Sequence, residues 1–236
     1  MIKMNELVKV RGLHKSYGSL EVLKGIDFDF HGNQIIGLLG PNGCGKTSLI
    51  KILTGLINDY SGEVLIDGQK PNDYTKSIVA YLPERTYLAD WMRPIDAINY
   101  FEDFYKDFDR NKALEMLHTF QLPEKQKIKS MSKGMKEKIQ LLLVMSRSAK
   151  IYILDEPLGG VDPAARDFIL DTIMTNLPEG STMMLSTHLI YDVERIFDRV
   201  LMINAGHIVV DSDVEAIRAD GKTIEELFKE VFRFAV

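Results

Sequence analysis

The sequence predicts an α/β fold in which a mixed, mainly parallel sheet carries an N-terminal antiparallel β subdomain and an inserted helical subdomain. Strand patterns bounded by glycines dominate the first 90 residues. Apolar residues recur at helical spacing from about residue 91 to 150, and residues 151–236 alternate between strand and helix patterns. Such alternation forms a parallel sheet covered on both faces. We therefore expect one domain over residues 1–236, with its core in residues 1–90 and 151–236.

Composition and charge narrow the class of protein. With 236 residues, 45% of them hydrophobic and 27% charged, the chain can bury a full core. The 29 basic and 34 acidic residues leave a net charge of −5, which provides no global attraction to nucleic acid. The single cysteine excludes an internal disulfide. No apolar run approaches the ~20 residues that span a bilayer, so we expect the chain to reach a membrane only through another polypeptide.

Local patterns place the elements along the chain. Strand patterns occur at residues 7–11, 26–30, 35–39, 62–68, 151–154, 182–186, 200–203 and 207–210. Helical patterns occur at residues 47–53, 95–105, 113–120, 136–145, 164–177 and 189–197. Asn204-Ala205-Gly206 predicts a hairpin turn between the last two strands. The tail, residues 223–236, predicts an amphipathic helix that packs on its own domain through Ile224, Leu227, Phe228, Val231 and Phe232.

Residues 40–47, here called the phosphate loop, fit the pattern G-x-x-x-x-G-K-[ST] at every fixed position. They lie between a predicted strand and a predicted helix, which is the context that this motif requires. Amides at the helix start bind phosphate oxygens; the lysine reaches the outer phosphates and the threonine ligates Mg²⁺. The core is therefore predicted to be a phosphate-loop NTPase, with nucleotide contacts from Gly40, Pro41, Asn42, Gly43, Cys44, Gly45, Lys46, Thr47 and Ser48.

Two carboxylates end the most apolar of the predicted strands, residues 151–154. Asp155 is placed to hold the Mg²⁺ shell opposite Thr47, and Glu156 is placed to polarise an attacking water. Hydrolysis of a γ-phosphate needs positioning and charge neutralisation more than covalent chemistry. An Asp-Glu pair at a strand end is common on protein surfaces and is weak evidence by itself. In one sheet with the phosphate loop, the pair indicates nucleoside triphosphate hydrolysis, with Lys46 and Glu156 as catalytic residues.

With these motifs the chain resembles the ATP-binding-cassette (ABC) transporter ATPases over nearly its whole length. Six short stretches follow the order of that family, at residues 13–18, 40–47, 81–84, 130–138, 155–162 and 186–188. The resemblance implies that Tyr17 stacks on adenine, and we expect Glu84 to face the Mg²⁺ and to couple the nucleotide to the partner that docks nearby. It also implies a catalytic role for His188, which would sense the γ-phosphate and orient the water.

The family signature, which we place at residues 130–138, departs from the usual pattern. The family prefers Leu-Ser-Gly-Gly-Gln where this chain has Met-Ser-Lys-Gly-Met at residues 131–135. The resemblance implies that the retained Ser132 and Gly134 bind a γ-phosphate, although Ser132 also fits a simple helix N-cap. Glu84 replaces the usual glutamine, so a carboxylate adds charge to the metal site. Cys44 is either a small residue that fits the phosphate loop or a reactive thiol.

The resemblance further implies ATP and Mg²⁺ as cofactors and a dimer that closes on ATP, formed with a second copy or with a paralogous ATPase. Residues 158–162 would form the dimer-interface loop. It implies a separate integral membrane permease as partner, no nucleic acid, and a cytoplasmic place on the inner face of the cell membrane. Trp91 and Met92 either anchor a permease helix or belong to the core. The tail favours export, and a soluble ABC ATPase acting on ribosomes or DNA is the alternative.

Overall fold

The computed structural model describes residues 6–159 and 161–233. Gly160, in the predicted interface loop, and the last three residues of the predicted tail lie outside the described residues. The strands are β1 Val8–Tyr17, β2 Leu20–Phe30, β3 Ile35–Leu39, β4 Ser61–Ile66, β5 Val79–Leu82, β6 Ile151–Asp155, β7 Thr182–Thr187, β8 Arg199–Asn204 and β9 His207–Asp213. The helices are α1 Lys46–Leu53, α2 Asp73–Ile78, α3 Pro94–Phe104, α4 Arg110–Thr119, α5 Lys133–Met145, α6 Pro163–Asn176, α7 Ile190–Val193, α8 Val214–Ala219 and α9 Ile224–Val231.

Two sheets organise the molecule. The first is antiparallel with the strand order β2-β1-β4. The central sheet has the order β5-β6-β7-β3-β8-β9 and is parallel from β5 to β8, with β9 added antiparallel. The β8–β9 turn consists of Ala205 and Gly206, whose positive φ values of 46° and 89° match the strand twist of a two-residue hairpin. The predicted mixed sheet, antiparallel subdomain and hairpin are therefore confirmed.

Strand β6 divides two hydrophobic clusters. Ile151 and Ile153 join the cluster that contains α1 and the antiparallel sheet, whereas Tyr152 and Leu154 join the cluster beneath the helical insert. Successive strand residues point to opposite faces, so both faces of this central strand are covered. The covered strand ends at Asp155, which is itself 1% exposed. The packing therefore carries a carboxylate into the interior at the carboxyl edge of the sheet.

The helical insert consists of α3, α4 and α5, as the spacing of apolar residues predicts. Pro94 begins α3, the Asp109 side chain accepts a hydrogen bond from the Lys112 amide at 3.0 Å, and Ser132 caps α5. Trp91, just before α3, is 69% exposed, so the alternative that Trp91 belongs to the core is wrong. Met92 packs against the buried cluster instead.

Other expectations needed correction. The structure adds the helices α2 and α8, each of which spans less than two helical turns, and the four-residue strand β5. The predicted helix over residues 189–197 reduces to the four-residue α7, followed by a 3₁₀ turn at Glu194–Ile196. The tail helix is confirmed as α9; a Thr223–Glu226 capping box begins it, and its apolar face packs on the domain.

Candidate active site

A single cavity of about 880 Å³ lies where the phosphate loop, the segment after β5, the insert helix α5 and the ends of β6 and β7 meet. Parallel strands β6, β7 and β3 are neighbours, so their carboxyl ends form one edge. The lining residues are Val22, Asn42, Gly43, Gly45, Lys46, Thr47, Ser48, Glu84, Arg85, Thr86, Lys133, Lys136, Glu137, Gln140, Asp155, Glu156, Gly159 and His188. The topology thus gathers residues that lie up to 166 positions apart, from Val22 to His188.

The phosphate loop requires glycine at crowded positions, and at Gly40 a Cβ would lie 2.3 Å from the Ile203 carbonyl oxygen. Gly45 has φ 115°, and a Cβ there would lie 2.7 Å from the Leu23 side chain. Helix α1 begins directly after it at Lys46 with no side-chain cap, so its first amides are available to an anion. The Lys46 ammonium donates to the Gly40 carbonyl at 2.7 Å and to the Pro41 carbonyl at 3.3 Å. Both carbonyls belong to the loop that would surround the phosphates.

Asp155 presents one free acceptor to the cavity. The Ser186 hydroxyl donates to Asp155 Oδ1 at 2.5 Å, while the buried Oδ2 has no hydrogen-bond partner among the described residues. Burial raises the pKa of Asp155, opposed by the Ser186 and Thr47 hydroxyls. A buried, unpaired carboxylate oxygen beside a threonine hydroxyl suits a hard cation such as Mg²⁺, which takes one or two protein oxygens and completes its shell with water and phosphate.

Glu156 and His188 form a hydrogen-bonded pair next to Asp155. His188 Nδ1 lies 2.9 Å from Glu156 Oε2, and the Glu156 amide donates to the Ser186 carbonyl at 3.1 Å. Glu156 adopts φ +52°, in the left-handed region that is unfavourable for residues with a side chain. Burial raises the pKa of Glu156, while His188 and Lys46 act in the opposite direction. The geometry leaves a carboxylate next to a histidine at the edge of the phosphate cavity.

Of the residues predicted to contact the nucleotide, some line the cavity and others lie behind the cavity or at its edge. Thr47, Ser48 and Glu84 line the cavity, and Cys44 is buried behind the loop with the pKa of its thiol raised by burial. Tyr17 lies at the edge of the cavity, with its hydroxyl 3.4 Å from Ser48 Oγ.

The signature residues Ser132 and Gly134 are not among the lining residues of the chain's own cavity. They begin α5, where Ser132 Oγ accepts a hydrogen bond from the Met135 amide at 3.3 Å. The next turns of α5 supply Lys136, Glu137 and Gln140 to the cavity instead. Lys133, between Ser132 and Gly134, does line the cavity, so the start of α5 lies at the border of the cavity.

Several polar residues that line or support the site were missed from the sequence, and Ser186 and Gln140 are two of them. Ser186 bonds both Asp155 and the Glu156 amide, and Gln140 is buried, with its side-chain oxygen 3.3 Å from the Tyr87 amide. Ser186 lies in residues 186–188, the stretch that matches the family order and ends at His188. Gln140 gave a weak signal as the one polar residue beside an apolar helical run. Among residues 6–159 and 161–233, no group of three or more His, Cys, Asp and Glu side chains is arranged to hold a metal.

No described helix combines the length and apolar character needed to cross a bilayer.

A family model described as "ABC transporter" matches residues 23–159. The chain is 34% identical over 224 residues to an uncharacterized ABC transporter ATP-binding protein, MJ1023, of Methanocaldococcus jannaschii, covering 91% of this chain and 80% of that protein. It is 29% identical to the SkfA peptide export ATP-binding protein SkfE of Bacillus subtilis, and the match covers 95% of this chain and 96% of SkfE. A solved ATP-binding subunit of an ABC transporter superposes with a TM-score of 0.84 at 26% identity. The superposition covers 95% of this chain and 98% of that subunit.

Proposed function

The chain belongs to the ABC transporter family as an ATP-binding ATPase subunit, and we propose that it hydrolyses Mg-ATP at a site shared between two such chains to drive export through a separate membrane permease. The observation that carries the proposal is the 2.9 Å contact between His188 and Glu156 at the edge of the phosphate cavity. Export is proposed because the relative SkfE is named for peptide export and aligns over nearly its whole length.

Phosphate binding starts at the phosphate loop. The amides at the start of α1 receive phosphate oxygens, and Lys46 exchanges its bonds to the Gly40 and Pro41 carbonyls for bonds to the outer phosphates. Thr47, Glu84 and Asp155 Oδ2 would hold Mg²⁺. When bound, this ion supplies charge neutralisation at the β- and γ-phosphates.

Proton transfer falls to Glu156. Its carboxylate accepts a proton from the water that attacks the γ-phosphate, and His188 holds the carboxylate through the contact with Oε2. Burial raises the pKa of Glu156, which makes it a stronger base than an exposed carboxylate. The Ser186 hydroxyl accepts a hydrogen bond from the Glu156 backbone amide and donates to one oxygen of Asp155, so it orients the Asp155 carboxylate and the Glu156 backbone.

We infer a shared site from the position of the signature. Ser132 and Gly134 lie outside the chain's own cavity, while the start of α5 carries free helix amides suited to an anion. A second chain, identical or paralogous, would present these residues to the γ-phosphate of the first. The loop at residues 158–162 would lie at that interface.

The permease is proposed to dock beside the insert. Tyr87, Trp91, Tyr100 and Phe104 are exposed large side chains in one region of the sequence, and the Tyr100 and Phe104 rings stack at 5.9 Å. Tyr87 also stacks on Phe101 at 6.2 Å, which fixes this aromatic surface to α3. Exposed aromatic side chains are effective anchors for a partner helix. Docking here would hold the chain at the cytoplasmic face of a membrane.

The direct test is capture of the tagged Glu156→Gln chain from detergent-solubilised membranes of its native cell, with ATP and Mg²⁺, followed by identification of co-purifying proteins. We expect a multi-span membrane protein. Trp91→Ala in the same background should reduce its recovery, whereas Tyr191→Ala, which removes an exposed aromatic on α7, should not. Recovery of ribosomal or DNA-bound proteins in its place would overturn the transport assignment.

A further inference from the structure

One face of the Tyr17 ring is covered by a buried lysine. The Lys15 ammonium lies 4.8 Å from the centroid of the ring, on the same strand β1. The Lys15 side chain is 5% exposed, whereas Tyr17 is 48% exposed. The ring therefore has one face closed by a cation and one face available to a ligand.

Two contacts hold this arrangement at both ends. Lys15 Nζ donates to Asp59 Oδ2 at 3.0 Å, and Asp59 is 99% exposed in the segment before β4. The Tyr17 hydroxyl lies 3.4 Å from Ser48 Oγ, in the first turn of α1 and at the wall of the nucleotide cavity. The ring is thus fixed through its face by Lys15 and at its hydroxyl end by Ser48.

We propose that Lys15 is a positioning residue for nucleobase recognition: it fixes the plane of Tyr17 and turns the open ring face toward the base of the bound nucleotide. The inference rests on the proposed function, to which it adds that the base of the bound ATP stacks on Tyr17, as the family resemblance implies. Lys15 does not touch the nucleotide and acts through the tyrosine ring.

The physical reasons are restraint and polarisation. A cation held against one face of an aromatic ring is attracted by the ring's negative π cloud. This attraction restrains the side-chain torsions of an otherwise half-exposed tyrosine, so less conformational freedom is lost when the base binds. It also draws π density away from the open face, which reduces repulsion from the π cloud of a stacked base.

A purely structural role for Lys15 makes a different prediction. If its ion pair with Asp59 only joins two loops, its loss should weaken the fold and lower affinity for every phosphate ligand equally. If Lys15 positions Tyr17, its loss should affect only ligands that carry a base. Lys9, also on β1 and paired with Glu63 at 2.9 Å, offers a matched control without an aromatic ring.

The test is a double-mutant cycle on Lys15 and Tyr17, with affinities for Mg-ATP and for Mg-tripolyphosphate measured by calorimetry on the full chain. Lys15→Met should lower affinity for ATP about three- to tenfold, because ATP binding must then order the freed Tyr17 side chain, a cost of that scale for one side chain. Its affinity for tripolyphosphate should be unchanged. Lys15→Arg, which keeps the cation, and Lys9→Met should both retain wild-type ATP affinity. In a Tyr17→Ala background, Lys15→Met should cause no further loss.

Two results would overturn the inference, and they differ. An equal loss of ATP affinity on Lys15→Met with and without Tyr17, or a matching loss for tripolyphosphate, would show that Lys15 acts only on the fold. If Tyr17→Ala itself left the ratio of ATP to tripolyphosphate affinity at the wild-type value, the base would not stack on Tyr17. That second result would remove this part of the proposed function together with the role of Lys15.

Discussion

His188 Nδ1 lies 2.9 Å from Glu156 Oε2, which links the ends of two neighbouring parallel strands. Strands β6 and β7 pair in a register that sets Asp155 opposite Ser186, so the residues that follow each of them emerge side by side. A histidine and a glutamate 32 positions apart thus become a hydrogen-bonded pair through sheet register.

Replacement of His188 should separate catalysis from binding. We expect His188→Ala to lower ATP turnover about a hundredfold, the scale of a lost acid–base partner, because Glu156 loses the group that orients it. ATP affinity should stay within about threefold, since the phosphate loop is untouched. His14→Ala is the matched control, as it removes a histidine paired with Glu21 at 2.8 Å on the antiparallel sheet. Unchanged turnover in His188→Ala would contradict the role given to the pair.

The backbone of Glu156 stores strain that can be measured. At φ +52°, glycine avoids a clash of the Cβ that costs any other residue about 1–2 kcal/mol. We therefore expect Glu156→Gly to be about 1 kcal/mol more stable than Glu156→Ala in urea unfolding. At Glu115, in the exposed part of helix α4, the same pair of substitutions should rank in the opposite order. Greater stability of the alanine variant at position 156 would show that the position is unstrained.

Asp155 is predicted to lower the stability of the nucleotide-free fold while it provides an oxygen ligand for the cation. Burial raises its pKa, so the folded chain holds that proton more tightly than the unfolded chain, and the ionised group destabilises the nucleotide-free fold at neutral pH. Asp155→Asn should raise the free energy of unfolding by about 1 kcal/mol, which is roughly 2–4 °C in Tm. The variant should also lose the Mg²⁺-dependent part of the thermal shift with ATP. A lower Tm without nucleotide would contradict this account.

Asp67 provides a pH-dependent prediction away from the site. Lys150, at 2.8 Å, lowers the pKa of Asp67 most, and the Tyr74 hydroxyl adds to the effect. The depressed pKa means that this stabilisation is complete above the unfolded pKa of about 4 and is lost as pH falls through the folded value.

Asp67→Asn should therefore lower the free energy of unfolding at pH 7 by less than about 1 kcal/mol, as expected for a largely solvated ion pair. The difference from wild type should shrink below about pH 4. Asp73→Asn is the control, since it removes a fully exposed carboxylate 3.9 Å from Lys76, and its effect at pH 7 should be smaller than that of Asp67→Asn. A difference that grows as the pH falls would be the opposite of the expected sign.

The predictable parts of the molecule were those encoded within one short segment. The phosphate loop at residues 40–47 and the hairpin at Ala205–Gly206 follow from glycine positions that a local backbone conformation requires. Helices α3 to α5 follow from apolar spacing. Helix α2 gave no such signal, because six residues span less than two helical turns. Strand β5 was not predicted, although other four-residue strands were.

Contacts between distant segments could not be predicted in the same way. The bonds from Ser186 to Asp155 and to the Glu156 amide depend on the pairing of β6 with β7, which the sequence does not specify residue by residue. The cation beneath Tyr17 requires the path of the chain from β1 to Asp59. Trp91 was left between core and surface because its local pattern fits both, and only the packing of α3 exposes it.

The most direct test of the shared active site is the solution mass of Glu156→Gln by light scattering after size exclusion. With ATP and Mg²⁺ it should elute as a dimer, while wild type with ADP should be a monomer, because blocked hydrolysis traps the closed state. Gly134→Asp in the Glu156→Gln background should prevent closure, since it places a carboxylate where the signature is proposed to meet a phosphate. A monomeric Glu156→Gln chain in ATP and Mg²⁺, at concentrations where ATP binding is saturated, would contradict a site formed by two copies of this chain.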